Sequence, residues 1–367
     1  RGFMWFGTDD GLNRYDGYDF VVYQADWDGD RGLSHDTVTA LVEDGSGGLW
    51  IGTPGGLDRL DLETARFTHY RHDEEEPHSL IDDEVLVLYQ DRAGRLWVGT
   101  SGGLDRFDPN TEQFVHYRAN LRDPRSLPDN RITSIYEDGS GILWIGTWRG
   151  LSRWHPDENR FTRHRLAPED RTELGHNAVQ AILEDRRGTL WIGTGGSGFY
   201  RFDRQTGAFS QLLVDPRDVA GLAQNDVTSI WEEQAGALWL GTDGGGLYQL
   251  DGGGNQLIPY QNDPQDSGSL SSNYVNAIDE SQSGILWIGT SGGGVSKLDR
   301  DKRKFVLYQA DPSAPDSLSH NRVLALAEDT EGILWVGTDG GGLDSFDPAS
   351  GTFAHHTHDP DDPSTLS

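Results

Sequence analysis

Eight side chains carry most of the chemistry this sequence offers, and each breaks a pattern that the rest of the chain repeats: Trp148, Arg149, Arg131, His176, Tyr274, Arg322, His35 and His320. An indole stacks on a sugar ring or another apolar face, and a guanidinium grips a carboxylate or sulfate through two parallel hydrogen bonds. Together they suit recognition of a small polar ligand better than bond-making. No catalytic residue, metal or cofactor is expected. The chain has no cysteine, hence no thiol nucleophile and no disulfide. It also lacks a Gly-x-Ser-x-Gly elbow, and its histidines show neither zinc-ligand spacing nor a His-Glu-x-x-His pair. His69, His116, His164 and His356 fall on the outermost strand of their repeats and read as plain surface residues. Acidic stretches such as Asp359-Pro360-Asp361-Asp362 do not follow the calcium-loop pattern, and Asp-Pro is an ordinary turn opener.

The elements that must position these residues recur. Ile142-Leu143-Trp144-Ile145-Gly146-Thr147 has near-copies at Trp5, Trp50, Trp97, Trp191, Trp239, Trp287 and Trp335, with gaps of 45, 47, 47, 47, 48, 48 and 48 residues. A period of that size filled with short alternating runs predicts a β-propeller, one blade per repeat. The fourth repeat shows the plan. Ile132 to Glu137 is strand a, a Gly-containing turn leads into Leu143 to Thr147 as strand b, Gly150 to Trp154 is strand c, and Arg160 to His164 is strand d. The glycine that follows Trp, as in Gly52 or Gly146, is expected to let a large aromatic of the adjacent blade lie against bare backbone.

Two irregularities refine the expectation. Strands b, c and d occur eight times but strand a only seven, which predicts eight four-stranded antiparallel blades with the first lacking its innermost strand, seven blades being the alternative. The interval from Trp to the first apolar residue of strand c is seven in the first four copies and eight in the last four, dividing the array into two half-families. Residues 1–367 read as one domain.

Composition bounds the partners. The net charge of −30 repels phosphate backbones and anionic lipid headgroups, so nucleic acid is not an expected partner. No run nears the roughly 18 apolar residues of a membrane span, so direct membrane insertion is not expected.

Leu-Trp-Val-Gly-Thr at Leu96 to Thr100, Gly-Gly-Leu-Asp-Arg-Phe-Asp at Gly102 to Asp108, Gln113-Phe114-Val115-His116-Tyr117 and Asp123-Pro124-Arg125-Ser126-Leu127 together resemble the two-component regulator propeller repeat. The resemblance implies a periplasmic or extracellular sensor region of a bacterial membrane receptor, working as a homodimer and binding an oligosaccharide or other small ligand, with a histidine kinase or diguanylate cyclase beyond this region.

With strand a innermost, the d–a and b–c loops share one face, which carries the eight deviating residues. The Asn and Asp residues recurring before strand a, such as Asn130 and Asn273, read as local turn formers. A lyase of the streptogramin-inactivating type, with His176 as base beside Asp226, and a protein-interaction scaffold are the rival functions.

Overall fold

The computed structural model describes residues 3–16, 18–26, 31–45, 47–164, 166, 178–212, 226–251, 254, 256–299, 304–359, 362 and 365–366. The fold is all-β, a β-propeller of eight blades, with a single 3-10 turn among the described residues, at Pro156–Glu158. Seven blades are four-stranded antiparallel sheets in the order a-b-c-d, and the first has three strands, Met4–Thr8, Gly11–Tyr15 and Phe20–Tyr23, with no strand a. The strand count expected from the repeats therefore holds, and the seven-blade alternative does not.

Contacts divide the chain into two compact units, 1–179 with 359–367, and 180–358. The first holds blades 1 to 4 and the second, apart from the first two residues of blade 5, holds blades 5 to 8. This division coincides with the two half-families. In the first four copies the threonine ending strand b donates its hydroxyl to the glycine carbonyl three residues on, as Thr147 does to Gly150 at 2.9 Å; in the last four it reaches four residues on, as Thr194 does to Gly198 at 2.8 Å. The extra residue leaves that buried bond intact and changes the backbone, φ falling from 136° at Gly150 to 84° at Gly198, both in a region that favours glycine.

Within each unit the blades are joined by buried aromatic and aliphatic clusters. Trp97, Tyr117, Trp154 and Phe161 join blades 3 and 4, with the Trp97 and Trp154 rings 5.8 Å apart edge to face. The indole N–H of Trp97, Trp144, Trp191, Trp239 and Trp335 donates to a carboxylate six residues upstream, at 2.8–3.0 Å. A buried donor that would cost free energy unpaired is thereby satisfied from the turn before its own strand.

The glycine after Trp does admit a neighbouring side chain, but an aliphatic one. A Cβ at Gly52 would lie 2.7 Å from Val85 Cγ1, at Gly99 2.7 Å from Ile132 Cγ2, and at Gly289 2.6 Å from Val323 Cγ1. The first residue of the next blade's strand a fills the space; a β-branched side chain on a strand held to its partner by a bulge reaches the bare backbone, where a flat ring does not. At Gly337 nothing lies nearer than 3.7 Å. Gly99→Ala is therefore expected to lower the unfolding free energy by about 1–3 kcal/mol through overpacking. Gly337→Ala is expected to stay within about 0.5 kcal/mol of the parent. Denaturant midpoints at unchanged slope compare the two.

Candidate functional site

Backbone hydrogen bonds bring the d–a and b–c loops of a blade together at one end. The residue after strand b donates its N–H to the carbonyl of the residue before strand a: Trp148 to Arg131 at 3.0 Å, Ser101 to Glu84 at 3.1 Å, Ser291 to Tyr274 at 2.9 Å and Asp339 to Arg322 at 2.9 Å. The recurring Asn and Asp residues lock these loops. The side-chain oxygens of Asp36, Asp83, Asn130, Asn273 and Asn321 each accept a backbone N–H eleven residues upstream at 2.7 Å. They are scaffold, which leaves the deviating residues as the variable surface.

On blades 3 and 4 those residues converge. The Trp148 side chain is 42% exposed, large for an indole, and the Arg131 guanidinium stands 5.8 Å from its ring centre. Arg131 also faces Glu84, Nη1 to Oε1 3.9 Å, and Ser101 donates its hydroxyl to the same carboxylate. Arg149 pairs with Asp129, Nε to Oδ2 3.2 Å, and the other oxygen of Asp129 accepts the Arg131 N–H at 3.0 Å. The result is an exposed aromatic plate flanked by two guanidinium–carboxylate pairs. Beside it, a cavity of about 460 Å³ is lined by Asp82, Asp83, Gly102, Arg118 and Asn130. Such pairs present donors and acceptors together at the solvent boundary, which suits sugar hydroxyls, and surface pairing of this kind stabilises the fold little. Asp129 and Ser101 were not singled out from sequence; their signal is only that they flank the deviating Arg131 and Trp148 in space.

In the second unit, Tyr274 is half-exposed and Arg322 pairs with Asp339. His320 accepts the Arg322 N–H at its Nδ1, 3.2 Å, as His35 accepts the Thr37 N–H at 3.0 Å. Both histidines thus serve the turn entering strand a. His176 lies outside the described residues, and with it the expected pairing to Asp226.

The rim histidines differ from expectation. His116 Nδ1 lies 2.5 Å from Asp105 and His355 Nδ1 2.7 Å from Asp344, carboxylates with no exposed surface, while each Nε2 reaches a proline carbonyl at 2.9 Å. His69 pairs with buried Asp58 in the same way. The second oxygen of each Asp takes the N–H of the loop entering strand a: Ser34, Ile81 or Ser319. In blade 4 Arg163 replaces this device, donating to the carbonyls of Asn120, Asp123, Ser126 and Leu127 at 2.8–2.9 Å. These are ties that hold the d–a loop. They are no nucleophile–base pair, because Ser34 and Ser319 bond the carboxylate rather than the imidazole. His164 is largely buried beside Trp144, and burial pushes its pKa down to about 4. His356 packs on Trp335.

Among the described residues no three His, Asp or Glu side chains gather as a metal cage, and no helix is long and apolar enough to cross a membrane. The two-component regulator propeller model matches residues 32–55, 79–102, 126–149, 173–196, 269–292 and 317–340, that is, the passage from the d–a loop through strands a and b in blades 2 to 5, 7 and 8. Six of the eight repeats are two-component regulator propeller repeats. Among solved structures, this chain is similar to the extracellular domain described as that of the hybrid two component system BT3049 from B. thetaiotaomicron. The two are 25% identical over 98% of this chain and 52% of that one, with a TM-score of 0.56. The corresponding domain of BT4673 from the same organism is 22% identical over 96% of this chain and 50% of that one, TM-score 0.56. A virginiamycin B lyase from Staphylococcus aureus shares the fold at 14% identity, over 88% of this chain and 96% of that one, TM-score 0.55. The propeller thus spans about half the length of the two extracellular domains. No curated protein matches its sequence.

Proposed function

We propose that this propeller is the ligand-binding part of an extracytoplasmic sensor in a bacterial two-component or diguanylate cyclase receptor, and that it recognises an oligosaccharide or similar small polar ligand at the end of the blades made by the d–a and b–c loops. Kinship with extracellular domains of two-component systems supports the receptor role. The observation that carries the ligand reading is the exposed Trp148 indole, followed by Arg149 in a b–c loop where most other repeats keep small residues, with the Arg131 guanidinium beside the ring.

Calorimetry with a panel of neutral and acidic oligosaccharides tests the reading. Trp148→Ala or Arg131→Ala is expected to weaken binding of the recognised sugar at least about ten-fold, the loss of one stacked ring or one charge-assisted hydrogen bond. Equal affinity in both variants would remove the site from this end of the blades. In this reading the fragment is no enzyme, and the ligand is recovered unchanged by mass spectrometry. Turnover would favour the lyase reading, whose support is a shared fold alone. In the intact receptor the propellers pair in a homodimer, and ligand shifts that pairing towards a signalling arrangement.

A further inference from the structure

The first and second residues of the a–b turn in blade 5 are Arg186 and Arg187, and the second of these is the larger departure from the repeat. The same position holds Ser46, Ala93, Ser140, Ala235, Ser283 and Glu331 in the other blades. Arg187 lines a groove of about 400 Å³ between blades 5 and 6, at the end of these blades that carries the a–b and c–d turns. Arg201, from strand c of blade 5, lines it too, with Trp191 and Gln249. On the blade 6 wall of the groove, a Cβ at Gly254 would meet nothing within 4 Å.

What decides the chemistry is which groups are already engaged. The three carboxylates of the groove are held by their own neighbours. Asp185 accepts the N–H groups of Arg187 and Thr189 and the Trp191 indole at 2.8–3.0 Å; Glu232 accepts the Arg186 N–H at 3.0 Å; and Asp251 accepts that of Gln256 at 2.8 Å. The Gln249 carbonyl takes the Tyr260 hydroxyl at 3.1 Å, which leaves its NH₂ to donate. The guanidinium groups of Arg187 and Arg201 have no acceptor among the described residues. In blade 2, by contrast, the counterpart Arg59 is tied to Asp44 by two bonds.

We infer that this groove is a second binding site, for the carboxylate of a small molecule of monosaccharide size. Two forks from blade 5 and an amide from blade 6 match the in-plane lone pairs of a carboxylate, and a cavity of this volume takes one six-membered ring. The chain's net charge of −30 opposes anions at long range, so affinity must come from short, charge-assisted bonds within the groove. The site is independent of the one proposed at Trp148, since it uses other residues at the other end of its blades.

Two variants borrowed from other repeats keep the turn chemistry and test the assignment: Arg187→Ser, as in blade 4, and Arg201→Gln, as in blade 6. Glucuronate, titrated calorimetrically into the parent protein, is expected to bind one equivalent, and glucose to give no saturable heat. Each variant is expected to lose at least about ten-fold in affinity, one charge-assisted interaction, while Trp148→Ala keeps the parent value. The proposal is overturned by absence of glucuronate binding at about 10 mM, by equal binding of glucose, or by unchanged affinity in either arginine variant. Loss of glucuronate binding in Trp148→Ala would also overturn it, by moving the carboxylate to the other end of the blades.

Discussion

Replacing Trp144 by alanine lowers the unfolding free energy by about 3–5 kcal/mol, the range for deleting a buried aromatic side chain. Trp144 has no exposed surface and its indole donates to Asp138, a carboxylate equally buried, at 2.8 Å. Removal of the ring opens a cavity between strands and takes away one of the hydrogen bonds that satisfy the buried Asp138 carboxylate. Trp144→Phe separates the two contributions, since it keeps most of the apolar area and loses only the donor, at a cost of about 1–3 kcal/mol. Denaturant unfolding monitored by circular dichroism distinguishes these outcomes. If Trp144→Phe destabilises as much as Trp144→Ala, the hydrogen bond rather than the packed ring dominates.

The second large effect is at Asp105. Asp105→Ala strands the Ile81 N–H and the His116 imidazole at once, and breaking a buried pair from one side costs about 3–5 kcal/mol. It should also loosen the d–a loop that carries Asp82, Asp83 and Glu84, the last of which faces Arg131 at the proposed ligand site. Loss of ligand affinity together with stability is therefore expected in this variant, and proteolysis within residues 71–84 should become faster.

The same pairs set a pH dependence. The hydrogen bond to Asp105 raises the pKa of His116 above its ordinary value, and the bond to Asp344 does the same for His355. A histidine raised on folding contributes stability that is fully present below its unfolded pKa of about 6.5 and is lost as pH rises through the folded value. Stability should therefore decline from about pH 6.5 upwards, and His116→Gln should flatten that decline. His164 has the opposite sign. With its pKa pushed down to about 4 it stays neutral in the folded protein, so stability falls as pH drops from about 6.5 towards 4. His164→Phe should remove that part of the acid sensitivity. A denaturation midpoint measured at several pH values for the two variants would contradict this account if both changed the same limb.

Much of the architecture was legible in the residues. The Trp-x-Gly-Thr period, the two-residue alternation on either side of Gly-containing turns, and the count of seven strands a against eight of the others prescribe blade number and the incomplete first sheet, because strand pairing within a blade is local and repeats with the chain. The one-residue lengthening of the b–c loop even marked where one compact unit gives way to the next. The deviating residues Trp148, Arg149 and Arg131 were visible as departures from the repeat.

What only the tertiary structure decided lies between repeats. That Val85 and Ile132, rather than aromatic rings, fill the space at Gly52 and Gly99 depends on how one blade leans on the next. Within a blade, too, register decides: His116 is tied to a buried carboxylate because strands c and d lie side by side with Asp105 directly across from it, where periodicity alone put it on a wet outer strand. The same holds for the ligand surfaces. The sequence singles out Arg131 but neither Arg187 nor Arg201, and which arginine already has a carboxylate partner, and which is left to a ligand, is settled only when side chains far apart in the chain are brought within hydrogen-bond distance.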